Sequence, residues 1–419
     1  MDGDKRENLP DSYVVTFLPG GKTASVPQGS TLLDAARAAD VHLNASCNGK
    51  GACGKCRLVA VSGGVEVLPT PFLTDREKEK GYMLACQSRV IGDATVQIPP
   101  EVVERKMKIA GMGREISGRV KGLVTEIDPM LKQISLTLSA PTLEDSVSDL
   151  DRLHRGLKKS GCDITKLNVG IKVMRQLAEV IRKDNWNITV SVIQRKCANE
   201  ILEVLPGNES HQKLGLAIDV GTTSIVVYLV DMADGSILAA AAGHNSQASC
   251  GDDVINRIIC AEKDGVGKLS KMVLSTINGL IAETLDSIGG ETTAIRNVVI
   301  SGNTTMAHLL LQIEPRYIRR DPYIPTVSDF PILKAGEIGL KVNPIAAVFI
   351  MPGPASYVGG DIVSGILYTG FHRENPVTLF IDIGTNGEIV LGNKEWLMTA
   401  ACSAGPAFEG GGIRWGMRA

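Results

Sequence analysis

A short segment occurs twice in the chain, and this internal repeat constrains the fold more than any other feature. AIDVGTTSIVVYLV begins at Ala217 and FIDIGTNGEIVLGN begins at Phe380. Both copies have the pattern of a buried strand, an aspartate, a glycine–threonine turn and a second strand. A repeat of this size predicts a duplicated domain. Strands and helices alternate from about residue 213 onwards, which predicts an α/β fold with a mixed sheet.

Both copies of the repeat also carry residues suited to binding a nucleotide. An aspartate at a strand end can hold Mg²⁺ through water, and the N–H groups and hydroxyls that follow can cradle phosphate oxygens. Such a turn can also be ordinary turn chemistry, but two copies in matching contexts favour a nucleotide clamped between two halves. The predicted contact residues are Asp219, Gly221, Thr222 and Thr223 in the first turn, and Asp382, Gly384, Thr385, Asn386 and Gly387 in the second.

The N-terminal region contains a cysteine pattern typical of a [2Fe–2S] site. Three cysteines lie in one glycine-rich loop, SCNGKGACGKC, and a fourth follows in YMLACQSRV. Such a cluster needs four thiolates, and glycines permit the tight loop that brings three of them together. Structural zinc more often uses two separate CxxC pairs, and disulfides are rare in a reducing compartment, so both alternatives are weaker. The predicted metal ligands are Cys47, Cys53, Cys56 and Cys86.

Composition limits the class of protein. A chain of 419 residues predicts two to four domains, and a formal net charge of −2 gives no sign of nucleic-acid binding. No apolar run reaches the length of a membrane span, and the N-terminus, MDGDKRENLP, lacks the character of a secretory signal. We therefore expect a cytoplasmic protein without nucleic-acid or membrane partners. The five remaining cysteines are expected to be isolated buried thiols.

The order of predicted elements divides the chain into an α+β and α/β multidomain protein. We expect a small β-grasp domain at 10–100, a charged linker at 101–122, a small α/β middle domain at 123–206 and the duplicated domain at 213–419. Within the first domain, Ser30 is predicted to cap a short helix, and Gly63–Gly64 is predicted to be the turn of a second strand pair. The LEVLPGNES segment is predicted to be a domain boundary.

Two regions resemble known families. Residues 10–100 resemble the [2Fe–2S] ferredoxins, with the C-x5-C spacing of the adrenodoxin-like branch and a gap before Cys86 closer to the plant type. The repeated turns resemble the phosphate-binding loops of the superfamily of actin, sugar kinases and heat-shock chaperone ATPases. That resemblance implies a duplicated actin-like (ribonuclease H-like) ATPase fold. Superfamily members continue beyond the point where GMRA ends this chain, so we expect the fold to be incomplete.

The whole chain resembles a narrower family, the reductive activators of corrinoid proteins. The segments that carry this resemblance are GDDVINRI, SGNTTMAHLLL, PGPASYVGGDIVSGIL and SAGPAFEGGGIRWGMRA, all behind a [2Fe–2S] domain. The resemblance implies an ATP-dependent, one-electron reduction of a corrinoid from Co(II) to Co(I) in a methyltransferase system. The implied cofactors are a [2Fe–2S] cluster and ATP with Mg²⁺. The implied partners are a corrinoid protein and an upstream electron donor.

Other functions stay open on the sequence alone. One alternative is a ferredoxin-like electron carrier whose α/β region docks a partner but lacks ATPase activity. Another is a small-molecule kinase with an appended cluster, for which Asp252, Asp253 and Glu388 are the candidate catalytic carboxylates. Nucleotide binding would separate the activator from the carrier, and phosphorylation of a metabolite would favour the kinase. A homodimer is also left open.

Overall fold

The computed structural model describes residues 12–39, 41, 43, 45, 49–51, 53–99, 127–195, 198–208, 214–251, 253–384 and 386–402. Three residues with predicted roles, Cys47, Asp252 and Thr385, lie outside these described residues. The predicted linker and the segment 403–419 lie outside them as well. The described strands form four sheets, in three parts of the chain.

The N-terminal unit is a five-stranded sheet with one helix packed on its buried face. Its elements are β1 (Ser12–Leu18), β2 (Lys22–Pro27), α1 (Leu32–Ala38), β3 (Arg57–Val67), α2 (Asp75–Glu79), β4 (Tyr82–Leu84) and β5 (Ser88–Gln97). The strand order is β2-β1-β5-β3-β4, and β1 runs parallel to β5. Phe17, Leu32 and Leu58 are fully or almost fully buried between helix and sheet. The β1–β2 hairpin and both helices agree with the sequence pattern.

Two local predictions in this unit are wrong. The cap of α1 is Thr31 rather than Ser30, because the Thr31 hydroxyl accepts a hydrogen bond from the backbone N–H of Asp34 (3.1 Å). Gly63 and Gly64 do not form a turn, since β3 is one continuous strand with register shifts around Gly63. Gly63 has φ +101°, and a Cβ there would collide with the backbone of Asp93. The glycine pair therefore forms a β-bulge in β3 opposite β5.

The middle unit is a four-stranded sheet with two helices on one face. Its elements are β6 (Leu131–Thr137), α3 (Asp149–Lys159), β7 (Leu167–Val169), α4 (Ile171–Lys183), β8 (Asn187–Ile193) and β9 (Asn199–Pro206), in the order β6-β8-β9-β7. Leu153 and Leu157 of α3 are fully buried against the sheet, as the helical spacing predicts. The first part of the LEVLPGNES segment belongs to β9, which ends at Pro206, the residue at which the middle domain is predicted to end.

The α/β unit begins with a six-stranded mixed sheet flanked by helices. Its elements are β10 (Leu214–Val220), β11 (Ser224–Asp231), β12 (Ile237–His244), α5 (Val254–Asp264), α6 (Val266–Asp286), β13 (Ile295–Gly302), α7 (Thr304–Leu310), β14 (Leu333–Lys334), α8 (Ala335–Ile338), β15 (Ala347–Ile350) and α9 (Gly360–Thr369). The order is β12-β11-β10-β13-β15-β14, and β10, β13 and β15 are parallel. Parallel neighbours end at the same edge, which brings the residues after β10 and β13 together.

The second copy of the repeat forms β16 (Thr378–Ile383) and β17 (Gly387–Gly392), followed by β18 (Leu397–Cys402). These three strands form an antiparallel sheet in the order β16-β17-β18. This arrangement matches β10, β11 and β12, which are also consecutive antiparallel neighbours. Both copies of the repeat are therefore strand–turn–strand units, as the sequence predicts.

The middle unit is joined by polar contacts to the start of β13, an interior strand of the α/β sheet. Arg296 at the start of β13 makes an ion pair with Glu203 of β9 (3.0 Å). Asn297 accepts a hydrogen bond from the backbone N–H of Leu131 (2.9 Å) and donates one to the Leu131 carbonyl (3.3 Å). These contacts fix β6 and β9 to β13. Within the described residues, no helix combines the length and apolarity needed to cross a membrane.

Candidate functional site

Two of the predicted cluster ligands are in contact in the N-terminal unit. The Cys56 thiol donates a hydrogen bond to the Cys86 sulfur at 3.3 Å, and both side chains are buried. This hydrogen bond lowers the pKa of Cys86 to about 6 and raises that of Cys56. Cys53 is half-buried and close enough to add a smaller electrostatic contribution to the pKa of Cys56. Cys47, the fourth predicted ligand, lies outside the described residues.

The loop around these sulfurs fits a [2Fe–2S] centre. Gly49, Gly51 and Gly54 have φ values of +82°, +73° and +65°, a backbone conformation that other residues rarely adopt. A Cβ on Gly54 would lie 2.7 Å from the Cβ of Phe72, so only glycine fits there. The backbone N–H of Gly51 donates a hydrogen bond to the Cys86 sulfur and contributes to its lowered pKa. Thiolate donors stabilised by backbone N–H groups are the environment that such clusters require.

The turn Asp219–Thr223, which we call the first phosphate turn after its predicted role, is held by three polar side chains from elsewhere in the unit. Asn245, fully buried at the end of β12, donates a hydrogen bond to the Gly221 carbonyl (2.9 Å). Asn303, which caps α7, donates to the Thr222 hydroxyl (3.0 Å). Arg257 of α5 donates to the Thr222 carbonyl. The turn is therefore fixed from three directions before any ligand binds, which is the preorganisation that phosphate binding needs.

Arg257 is the largest fully buried side chain among the described residues, with 0% exposure. Besides Thr222, its guanidinium donates to the Gly251 carbonyl (2.8 Å) and to the Gln247 side chain (3.3 Å). It thereby ties the 3-10 turn Ser246–Cys250 and helix α5 to the first phosphate turn. Its charge adds a buried positive centre beside the predicted phosphate position.

The second turn connects β16 to β17. The backbone N–H of Gly384 donates a hydrogen bond to the Asn386 carbonyl (2.9 Å), which closes the turn. Asp382 pairs in register with Glu388, so the two carboxylates lie on neighbouring strands at the mouth of the turn. Gly387 is buried and begins β17. The described part of this turn thus repeats the aspartate–turn–strand arrangement of the first copy.

The two turns face one another across a concentration of acidic side chains. Although Asp219 keeps an exposed surface, desolvation and the nearby Asp361 and Asp382 raise the pKa of its carboxyl to about 6. Desolvation, with Asp382 close by, raises the pKa of Asp361 to about 6. Desolvation, with Asp361 and Asp382 close by, raises the pKa of the buried Glu388 to about 7. A divalent cation bound together with a nucleotide would relieve the repulsion between these clustered carboxylates.

This acidic group has a testable effect on stability. Unfolding returns each carboxyl to a pKa near 4, so the folded protein binds more protons than the unfolded chain between about pH 4 and pH 7. The contribution of the group to the free energy of unfolding is therefore present at the acid end of this window and lost as the pH rises. We expect the thermal unfolding midpoint of the α/β unit to fall as the pH rises from about 4 to about 7.

The matched variant for that measurement is Glu388→Gln, which keeps the shape of the side chain and removes the carboxyl whose pKa is raised to about 7. Its midpoint should depend less on pH than that of the wild type, and Mg²⁺ with ADP should stabilise the wild type more at the alkaline end. Equal pH dependence of both proteins, followed by circular dichroism, would contradict the electrostatic account.

Several predicted roles change once the structure is considered. Asp253, one of the candidate kinase carboxylates, is the N-cap of α5. Its side chain accepts a hydrogen bond from the Asn256 N–H (2.7 Å) and so stabilises the start of the helix. The sequence does not predict Asp361, yet its carboxyl is close enough to Asp219 and Glu388 to raise the pKa of both. Cys250 and Cys260 are expected to be isolated, but they lie close enough for the Cys260 side chain to lower the pKa of Cys250 to about 7. The prediction of isolated thiols is therefore wrong for this pair.

The fold and the site together define a class of protein: a ferredoxin-type iron–sulfur domain joined to an actin-like α/β unit. Comparison with known families supports each part. The chain matches a 2Fe–2S iron–sulfur cluster binding domain at 15–90, the RACo linker region at 122–211, the RACo middle region at 214–374 and the C-terminal domain of RACo, the ASKHA domain, at 376–419. The chain belongs to the RACo family, and the predicted resemblance and fold class are confirmed.

Individual relatives agree with this assignment. The chain is 30% identical to the "Corrinoid activation enzyme RamQ" of Eubacterium limosum over 94% of its own length and 61% of the relative's. It superimposes on the structure of a "Reductive activator for corrinoid, iron-sulfur protein" with a TM-score of 0.67 and 42% identity, over 97% of this chain and 65% of that one. The chain thus spans somewhat over three fifths of these relatives. A stretch of 100 residues, 23% of this chain, is also 38% identical to a quarter of one component of the Na(+)-translocating NADH-quinone reductase of Pseudomonas aeruginosa.

Proposed function

We propose that the protein is an ATP-dependent reductive activator that returns the cobalt of a corrinoid protein from Co(II) to Co(I). The observation that carries this proposal is the presence, in one polypeptide, of a thiol-lined glycine loop and two facing phosphate turns. An electron carrier alone would need only the loop, and a kinase would need only the turns. The corrinoid substrate is supported by the names of RamQ and of the solved activator, both of which this chain resembles.

Cys47, Cys53, Cys56 and Cys86 would hold the [2Fe–2S] centre, which supplies one-electron transfer when bound. The protein's own part is to exclude water from Cys56 and Cys86 and to direct the Gly51 N–H at a sulfur. Both effects help to set the reduction potential. An upstream donor returns the centre to its reduced state, so that one electron enters for each electron that leaves.

Asp219, Gly221, Thr222 and Thr223 would hold one side of MgATP, and Asp382, Gly384, Thr385, Asn386 and Gly387 the other. Plant-type clusters have reduction potentials of about −400 mV, and the potential of the Co(II)/Co(I) couple is lower. Each 100 mV uphill costs about 2.3 kcal/mol per electron, and nucleotide is needed to offset that cost. Binding energy can offset that cost only if nucleotide favours a complex in which the corrinoid is easier to reduce. The movement that this proposal requires is a closing of the two turns on the phosphates.

The test is an anaerobic reduction assay. Dithionite-reduced protein is mixed with a corrinoid protein loaded with cob(II)alamin, and formation of Co(I) is followed by absorbance with and without MgATP. We expect Co(I) to form only with MgATP, and Asp219→Asn to reduce the yield to the level without nucleotide, because the cation loses its carboxylate.

The control for this assay is Asp286→Asn, an exposed carboxylate at the end of α6, which should leave the yield unchanged. Reduction at the same rate without nucleotide would favour the electron carrier without ATPase activity. Absence of Co(I) under every condition would rule out the activator function for this chain.

A further inference from the structure

Arg57 directly follows the predicted ligand Cys56, begins β3 and binds three different segments of the N-terminal unit. Its Nε donates a hydrogen bond to the Gly54 carbonyl (3.1 Å), and its Nη2 donates to the Phe72 carbonyl (3.1 Å). Its Nη1 makes an ion pair with Oε1 of Glu77 in α2 (2.6 Å). We call Arg57 with these three acceptors the Arg57 clamp. One planar guanidinium thus joins the cysteine loop to α2 and to the segment before α2.

The clamp fixes the part of the cysteine loop that lies between Cys53 and Cys56. Gly54, in this part, has φ +65° and packs directly against Phe72, because a Cβ on Gly54 would lie 2.7 Å from the Phe72 Cβ. Arg57 holds both residues at once, so the loop can leave Phe72 only by breaking a charge-assisted hydrogen bond. Loss of the clamp would therefore loosen the loop that carries these two predicted ligands.

The acidic member of the clamp, Glu77, is ionised at neutral pH. Hydrogen bonds from the Thr74 N–H and hydroxyl (both 2.8 Å), with a smaller contribution from Arg57, lower the pKa of Glu77 to about 2. The ion pair therefore places two opposite charges beside the cysteine loop. The side chains of Arg57 and Glu77 are 32% and 28% exposed, so solvent weakens their electrostatic effect without removing it.

We propose that Arg57 is a positioning residue for the [2Fe–2S] centre and that the Arg57–Glu77 ion pair tunes the reduction potential of that centre. This role deepens the proposed function and rests on it, because that function places the cluster in this loop. Reduction adds one negative charge to the cluster, so a nearby positive charge favours the reduced form and a nearby negative charge the oxidised form. Glu77 thereby holds the potential below the value that Arg57 alone would give, which suits a donor to an acceptor of low potential.

The tuning is tested by an anaerobic redox titration of the cluster in the full chain at neutral pH, followed by absorbance and EPR. Glu77→Gln removes the negative charge and keeps the helix cap, since glutamine also completes a capping box. We expect it to raise the ratio of reduced to oxidised cluster at a fixed ambient potential at least about threefold. Arg57→Met should lower that ratio at least about threefold, because Glu77 is then unpaired. Threefold corresponds to about 28 mV for a one-electron couple.

Positioning is measured separately, as the rate at which an iron chelator removes iron from the oxidised protein. Arg57→Met and Arg57→Lys should both release iron at least about threefold faster, because neither side chain keeps the planar fork that holds Gly54 and Phe72. Arg57→Lys keeps the charge, so its ratio of reduced to oxidised cluster should stay within about twofold of the wild type. Glu77→Gln should release iron within about twofold of the wild-type rate, because its amide oxygen still accepts from Arg57.

Arg76→Met is the matched control, since it makes the same chemical change at an exposed position of α2. Both of its measurements should stay within about twofold of the wild type. If Arg57→Met fails to retain a cluster, the positioning role is supported, and the comparison of Glu77→Gln with the wild type still decides the tuning of the potential.

The outcomes separate this inference from the proposed function. If the wild type binds no iron and sulfide, both are wrong. If it holds the cluster but reduces no corrinoid, the proposed function fails, while opposite shifts in Glu77→Gln and Arg57→Met still support the tuning. If those two variants shift the ratio in the same direction or leave it unchanged, the tuning alone is overturned, since a purely structural disturbance gives no opposite signs. Wild-type iron release from Arg57→Met overturns the positioning role.

Discussion

The Cys86→Ser variant, purified anaerobically, is expected to lose the visible absorbance and the EPR signal of a reduced [2Fe–2S] centre. Cys86 is buried, its pKa is already lowered to about 6, and its sulfur accepts hydrogen bonds from Cys56 and from the Gly51 N–H. A hydroxyl is a harder, more weakly acidic donor that does not replace a thiolate on iron. Iron and inorganic sulfide per chain should fall together with the optical signal.

Cys162→Ser provides the matched control, because Cys162 is a half-buried thiol in the middle unit, remote in sequence from the cysteine loop. It should retain the full chromophore. Should Cys86→Ser keep the wild-type spectrum, or should the wild type contain zinc in place of iron and sulfide, the four-cysteine assignment would be wrong.

Replacing Arg257 with methionine should destabilise the α/β unit by about 3 kcal/mol or more and weaken nucleotide binding. The substitution leaves the buried carbonyls of Thr222 and Gly251 without their donor, and an unsatisfied buried acceptor costs about 1–3 kcal/mol. It also releases the first phosphate turn from α5. Chemical denaturation gives the change in the free energy of unfolding, and calorimetric titration with MgADP gives the affinity.

Arg257→Lys distinguishes charge from geometry at this position. Lysine keeps the positive charge but lacks the planar fork that reaches several acceptors, so we expect intermediate stability with most of the affinity loss retained. Arg155→Met is the exposed control: its surface ion pair with Asp145 should contribute less than about 1 kcal/mol. Wild-type stability and affinity for Arg257→Met would contradict the role of Arg257 in the turn.

The sequence predicts the parts of the site that depend on local spacing. The cysteine loop and both aspartate–turn–strand units are recognisable because their residues lie within a few positions of one another. The prediction for Gly63–Gly64 fails because two glycines fit both a hairpin turn and a bulge, and only the partner strand decides between them. The predicted cap of α1 is wrong by one position because Ser30 and Thr31 are both good N-caps.

The residues that sequence reasoning misses are those brought to the site by topology. Asn303 reaches Thr222 because β13 runs parallel to β10 and ends at the same sheet edge. Arg257 and Asn245 reach the first turn from elements that follow it in the chain by more than twenty residues. Asp361 comes to the acidic group from the N-terminal end of α9. An asparagine directly after a buried strand, as in SGN, is the one local signal available for these residues.

The contacts between the middle unit and β13 have a mechanical consequence. Glu203 holds Arg296, and Leu131 is joined twice to Asn297, at the beginning of the strand whose other end leads into Asn303. If closure on nucleotide, as the proposed function has it, tilts β13, these contacts would pass the tilt to β6 and β9 and so to the middle unit.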